Sequence, residues 1–237
     1  TRLFHAPMPL VVLENGSLRV EVAPLLGGRA LRVIDRRSGR CLTAHGVTRN
    51  LYFPFSGGEE SRVGEYFAIH AGGGMSQFRT VERTERSVTL EAGTANGFAM
   101  TRKLVLADDR PALTVELRVT NPSERPRSAQ LHAHLSLGLG QVRETRVRFE
   151  SRDGRAVEVD MAAVVAGLRE GSWFRGDGAP AEAWTFSGPD GFGATQRFAR
   201  EQVASAWLVA YPEEDGELEA ELLAPKATLE PGQSVGL

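Results

Sequence analysis

Two histidines and a late row of glutamates are the side chains here whose types and spacing suit proton transfer. His132 and His134 stand two apart in residues 128–140, SAQLHAHLSLGLG. Strand side chains alternate between two faces, so this stretch divides into two sets. Ala129, Leu131, Ala133, Leu135, Leu137 and Leu139 form an apolar face, while Ser128, Gln130, His132, His134 and Ser136 form a polar one. The first set can pack a core. The second can offer neutral donors and acceptors to a polar ligand such as a sugar.

Three chemistries are open to the histidine pair. An H-x-H pair on a strand can ligate a metal, but a site needs a third and usually a fourth ligand, and residues 135–140 supply none. Either imidazole can instead bond backbone groups and serve structure alone. Facing a cavity with Gln130 and Ser136 beside them, the two become ligand-binding or acid–base groups. The sequence assigns no metal and no cofactor.

Glu217, Glu219 and Glu221 share one side of a later strand, with Leu218, Ala220 and Leu222 on the other. They form a solvated acidic face, or one of them lies beside the histidine strand, where burial raises its pKa as a general base requires. Glu221 is the candidate. His70 sits in FAIHAGGGM, beside glycines that let backbone approach a ligand. No helix follows those glycines to cradle a phosphate. Trp173, Phe174, Trp184 and Phe186 cluster late in the chain, either as core or as a surface for stacking on a sugar ring. No G-x-S-x-G elbow for a serine nucleophile occurs.

The elements that must position these groups are mostly strands. Alternation predicts strands over 16–24, 29–35, 78–85, 87–92, 99–106, 112–120, 128–140, 203–211 and 217–223, a hairpin across Asp153-Gly154, and a final strand after the LEPG turn. Residues 161–169 (MAAVVAGLR) read as the one helix, capped by Asp160. The glycine-rich passage 57–74 reads as a long binding loop. About a dozen closely spaced strands and one short helix make the fold class all-β, a large antiparallel sandwich.

Composition narrows the partners. Lys and Arg total 28 against 30 Asp and Glu, for a net charge of −2, so no basic surface suits nucleic acid. No apolar run has the length of a membrane-spanning helix, and no membrane partner is expected. Cys41 is the single cysteine, which rules out an intrachain disulfide and a cysteine metal cluster; it reads as a small buried hydrophobe. Without a Pro- or Ser-rich interior linker, residues 1–237 read as one domain, and the ends suggest one excised from a longer chain with further domains.

Taken in order, LGGRALRVIDRRSG, IHAGGG, LTVELRVTN, LHAHLSLGL and ELEAELLAPKATLEPG resemble the galactose mutarotase-like (aldose 1-epimerase-like) β-supersandwich family. That family has a His-Gly-Gly loop, a later Asn-His-Ser-Tyr strand carrying the catalytic acid, and a catalytic Glu ahead of a Leu-x-Pro-Gly turn. The resemblance implies His134 as acid, Glu221 as base, and His70 and His132 as groups that position hydroxyls. Arg62 is the nearest match to the arginine of the family's Asn-Arg-Ile segment. It also implies a mono- or oligosaccharide ligand, a single mutarotase-like domain and no cofactor. The function expected is a carbohydrate-binding, accessory or sugar-recognition domain, with aldose 1-epimerase as the alternative. An epimerase is expected to hold His134 and Glu221 on opposite sides of a ring-sized gap.

Overall fold

The computed structural model describes residues 8–44, 57–64, 72–167, 172–211 and 216–237. Within them nearly all the regular secondary structure is antiparallel strand. The largest sheet has eight strands. In spatial order these are β1 (Val11–Glu14), β2 (Leu18–Ala23), β3 (Arg29–Asp35), β4 (Glu59–Val63), β10 (Leu131–Leu137), β17 (Glu217–Leu223), β16 (Ser205–Tyr211) and β13 (Trp173–Arg175).

Two smaller sheets cover one face of this large sheet. The first orders β19 (Ser234–Gly236), β8 (Leu113–Thr120), β7 (Ala99–Leu106), β6 (Ser87–Gly93) and β5 (Arg79–Arg83). The second orders β12 (Ala156–Glu158), β11 (Arg146–Ser151), β14 (Pro180–Ser187) and β15 (Gly193–Arg197). A two-stranded ribbon pairs β18 (Ala227–Leu229) with β9 (Arg127–Ala129).

Each small sheet closes its own apolar core. Leu13, Val20, Val22, Val63 and Leu131 of the large sheet pack with Leu90, Met100, Leu104 and Val119. Leu135, Leu137, Leu208, Leu218, Ala220 and Leu222 pack with Val147, Phe149, Trp184 and Phe186. Alternation therefore sends one half of β10, β16 and β17 inward and leaves the other half on the opposite face of the large sheet. That second face carries the candidate site.

The expected all-β sandwich with a short helix is present, and several expectations need correction. The helix α1 is only Met161–Val165. Asp160 caps it as expected, accepting from the Ala162 and Ala163 N–H groups, but Gly167 takes φ +72°, a left-handed conformation that ends the helix early. The strand read as continuous over 128–140 breaks at Gln130 into β9 and β10, which belong to different sheets. The Gln130 side-chain amide donates to the Ala224 carbonyl at 2.9 Å, so it serves that break. Passage 57–74 is not all loop, because β4 lies within it. Cys41 is half-buried, and its thiol donates to the Thr43 carbonyl at 3.3 Å.

Gly58 sets the entry into β4. Its φ is +81°, and a Cβ there would lie 2.4 Å from the Ala30 carbonyl oxygen and 3.0 Å from the Leu31 Cα. Its own carbonyl accepts from the Ser136 N–H at 2.9 Å. Backbone cannot step aside as a flexible side chain can. Gly58→Ala is therefore expected to cost more than about 2 kcal/mol, combining left-handed strain with overpacking. Denaturant titration of the variant checks this.

Candidate functional site

Register builds the site. In an antiparallel sheet, directly opposed residues point to the same face. His134 of β10 is opposed by Glu60 of β4 on one side and Glu221 of β17 on the other. Glu221 is in turn opposed by Trp207 of β16, and Trp207 by Trp173 of β13. One row thus crosses five strands as Glu60, His134, Glu221, Trp207 and Trp173. In neighbouring rows, Arg62 opposes His132 and Ser136 opposes Glu219.

His134 is the hub of this face. Its Nε2 lies 3.5 Å from Glu219 Oε1 and 3.8 Å from Glu221 Oε1, and its Nδ1 lies 3.8 Å from Glu60 Oε1. Glu60 accepts from Arg62 Nε at 2.6 Å, from Arg62 Nη2 and from Arg29 Nη2. His134 and Glu221 are each 4% exposed and Ser136 is fully buried. Arg62, Glu219, Trp207 and Trp173 are half-buried and form the more accessible part of the face. The two indoles stack with centroids 4.9 Å apart and planes 28° apart, and the Arg175 guanidinium lies 4.2 Å from the Trp173 ring centre.

The charges set the protonation states. Burial alone would raise the Glu60 carboxyl, but Arg62 and Arg29, with His134, hold it down to about 2. Burial, reinforced by Arg62 and His134, pushes His132 down to about 4, so it is neutral at pH 7. Burial also works against charge on His134, yet Glu219 and Glu60 outweigh it and Arg62, and its pKa rises. Glu221 is raised chiefly by burial, with His134 and Arg62 opposing. The imidazole and the carboxyl are thus both drawn above their ordinary values, the first by neighbouring carboxylates and the second by burial.

A metal reading has a geometric basis. Ligand atoms of His134, Glu219 and Glu221 all lie within 4.8 Å of one another. Arg29 and Arg62 pair with Glu60 on one side of the imidazole, and Glu219 and Glu221 face its Nε2 on the other, where they favour the imidazolium.

The sequence-derived residues fare differently. His134, His132, Arg62 and Glu221 come together on this face. Arg62 is held by Glu60, and Gln130 is committed to Ala224. His70 lies outside the described residues. His134 and Glu221 sit side by side, 3.8 Å apart, and not across a ring-sized gap, because they occupy directly opposed positions on adjacent strands. Of the aromatic cluster, Trp184 and Phe186 are fully buried core and Phe174 packs against it, while Trp173 joins the site face.

Three neighbours escaped the sequence reading: Glu60, Trp207, and Glu219 as the carboxylate nearest His134. Trp207 had a signal, since it alternates with Ala206 and Leu208 and so points away from the core. Glu60 had none. EESRV shows no apolar alternation, because β4 presents Glu60 and Arg62 on one face and Glu59 and Ser61 on the other.

Comparison with solved structures defines the class of fold. A galactose mutarotase-like protein from Lactobacillus casei superposes with TM-score 0.66 and 12% identity, over 97% of this chain and 98% of that one. A galactose mutarotase related enzyme from Lactobacillus acidophilus gives 0.67 and 14%, over 96% and 95%. The chain therefore has the galactose mutarotase-like fold. It also matches a TPR-domain containing protein from Parabacteroides distasonis, with TM-score 0.72 and 15% identity over 96% of this chain, and spans 45% of that protein's length. No family model and no curated protein sequence matches the chain.

Proposed function

We propose that the chain is a carbohydrate-binding domain of mutarotase-like fold, with an aldose seated over the β10–β17–β16 face. The observation that carries this reading is the single cross-strand row joining Glu60, His134 and Glu221 to Trp207 and Trp173. Charged and imidazole groups in that row suit sugar hydroxyls, and indoles suit the apolar face of a pyranose. The half-buried groups a ligand meets first are Arg62, Glu219 and Trp207, a set suited to recognising a sugar's hydroxyls and apolar face.

A second reading, aldose 1-epimerase, is favoured by the His134–Glu221 pair. The ring oxygen and anomeric hydroxyl of an aldose hang from one carbon, so groups 3.8 Å apart can each reach one of them. Glu221 would take the hydroxyl proton while His134 Nε2 protonates the ring oxygen. The ring opens to the aldehyde, turns about one bond and recloses as the other anomer with both protons returned.

Polarimetry on freshly dissolved α-glucose and α-galactose, run beside titration with oligosaccharides, tests both readings. The epimerase reading expects mutarotation above the buffer rate, falling by about 10²–10⁴-fold in His134→Ala and Glu221→Gln. The binding reading expects saturable oligosaccharide binding, weakened in Trp207→Ala, with no acceleration. A chain that neither binds nor turns over any sugar overturns the proposal.

A further inference from the structure

Glu60 is a deeply enclosed charge beside the site, 3% exposed, and has no role in the chemistry just described. Its two oxygens divide their work. Oε1 accepts from Arg62 Nε at 2.6 Å and from Arg62 Nη2, and the same atom lies 3.8 Å from His134 Nδ1. Oε2 accepts from Arg29 Nη2, and Arg29 Nη1 donates to the Gly57 carbonyl at 3.1 Å. The carboxylate is thus fixed by β3 and by its own strand, and it meets the imidazole from the side opposite to Glu219 and Glu221.

We infer that Glu60 is a positioning residue for this site. From the Nδ1 side, at 3.8 Å and without a hydrogen bond, it sets a fixed carboxylate charge against the His134 imidazole while Nε2 faces Glu219 and Glu221, and with the same oxygen it fixes Arg62. Two features of the packing support this. Opposed positions on β4 and β10 are about 4.5–5.5 Å apart at Cβ, so neither side chain can move away without breaking the row. The charge of Glu60 is also secure, because two buried guanidiniums bind it, and a carboxylate so paired stays ionised across the range in which an imidazole titrates. Its field at Nδ1 is therefore constant while His134 gains and loses its proton. Among the described residues, the other charged or titratable groups facing His134 are Glu219 and Glu221 on β17, Arg62 on β4 and His132 on its own strand.

The catalytic part of this role rests on the epimerase reading above, but the coupling between Glu60 and His134 can be measured without any sugar. Proton NMR titration of the imidazole C–H signals, assigned with His134→Gln and His132→Gln, gives the His134 midpoint directly. Glu60→Gln keeps the shape of the side chain and removes its charge, and the His134 midpoint is expected to fall by about 1 pH unit or more. Glu60→Asp, which restores the charge, is expected to recover most of that shift. Because Glu60→Gln leaves Arg29 and Arg62 without their shared carboxylate, Glu60→Gln with Arg29→Met removes one buried charge of each sign and is expected to show a smaller fall, since loss of the nearby guanidinium partly offsets loss of the carboxylate. Where mutarotation is measurable, its high-pH limb is expected to move down with the NMR midpoint. A folded Glu60→Gln variant whose His134 midpoint stays at the wild-type value overturns the inference. Loss of mutarotation with an unmoved midpoint overturns it too, and absence of turnover with a shifted midpoint rejects only the epimerase reading.

Discussion

Arg102→Ala is expected to destabilise the protein by about 3–5 kcal/mol, the largest single-residue effect anticipated here. Arg102 of β7 is fully buried between the small five-stranded sheet and the large sheet. Its Nη2 donates to Glu59 Oε2 at 2.5 Å and its Nη1 donates to the Gly27 carbonyl at 3.1 Å. Glu59 is itself only 9% exposed, so deleting the guanidinium leaves a carboxylate in a nearly dry interior with its partner gone. The cost lies in that orphaned charge more than in the worth of the pair. Arg102→Met combined with Glu59→Gln should therefore recover most of the loss, since neutral groups of similar volume replace both charges. Urea unfolding of the three proteins at pH 7 checks this. A double variant as unstable as Arg102→Ala would mean that packing, not charge, dominates at this point. Because Glu59 and Glu60 are consecutive on β4, the same variants show whether the inter-sheet ion pair also holds the site strand in place.

Acid is the second large effect. His132 binds its proton at about 4 in the folded chain against 6.5 ordinarily. Between those values the unfolded state holds more protons, so stability falls as pH drops from 6.5 to 4, by roughly 3 kcal/mol. Glu60, held at about 2 against 4.5, adds a similar loss between pH 4.5 and 2. His134 works in the opposite sense. Its folded pKa is raised, so its stabilisation is complete below 6.5 and is lost as pH rises through the folded value. Glu221, whose folded pKa is also raised, gains stability as pH falls toward 4.5 and offsets part of the His132 loss, and the acid losses at His132 and Glu60 leave greatest stability near neutral pH. Unfolding free energies measured at pH 7, 5.5, 4 and 3 should descend in two steps, and His132→Gln should remove the first step while sparing the second. A flat profile from pH 7 to 4 in the wild type would contradict the assignment of a neutral, enclosed His132.

Alternation alone settled much about this protein. Residues 29–35, 99–106 and 217–223 form strands with the bounds their patterns predict, because apolar side chains alternate with polar ones along much of each, although Arg102 takes an inward place on β7 and the β2–β3 register shifts within β3. The same periodicity placed His132 and His134 on one side of β10 and the three glutamates on one side of β17. Periodicity describes a strand and says nothing about its neighbour. That Glu221 stands opposite His134, that Glu60 closes the row on the other side, and that Trp207 and Trp173 extend it were decided by pairing among strands far apart in sequence, as between His134 and Glu221. The break at Gln130 was also hidden, since its residues alternate without interruption and only the pull of β18 on β9 divides them between sheets. β4 was hidden more deeply. A strand charged on both faces has no signature in one sequence, and its charges become tolerable only when Arg29, Arg102 and His134 arrive from elsewhere in the chain to meet them.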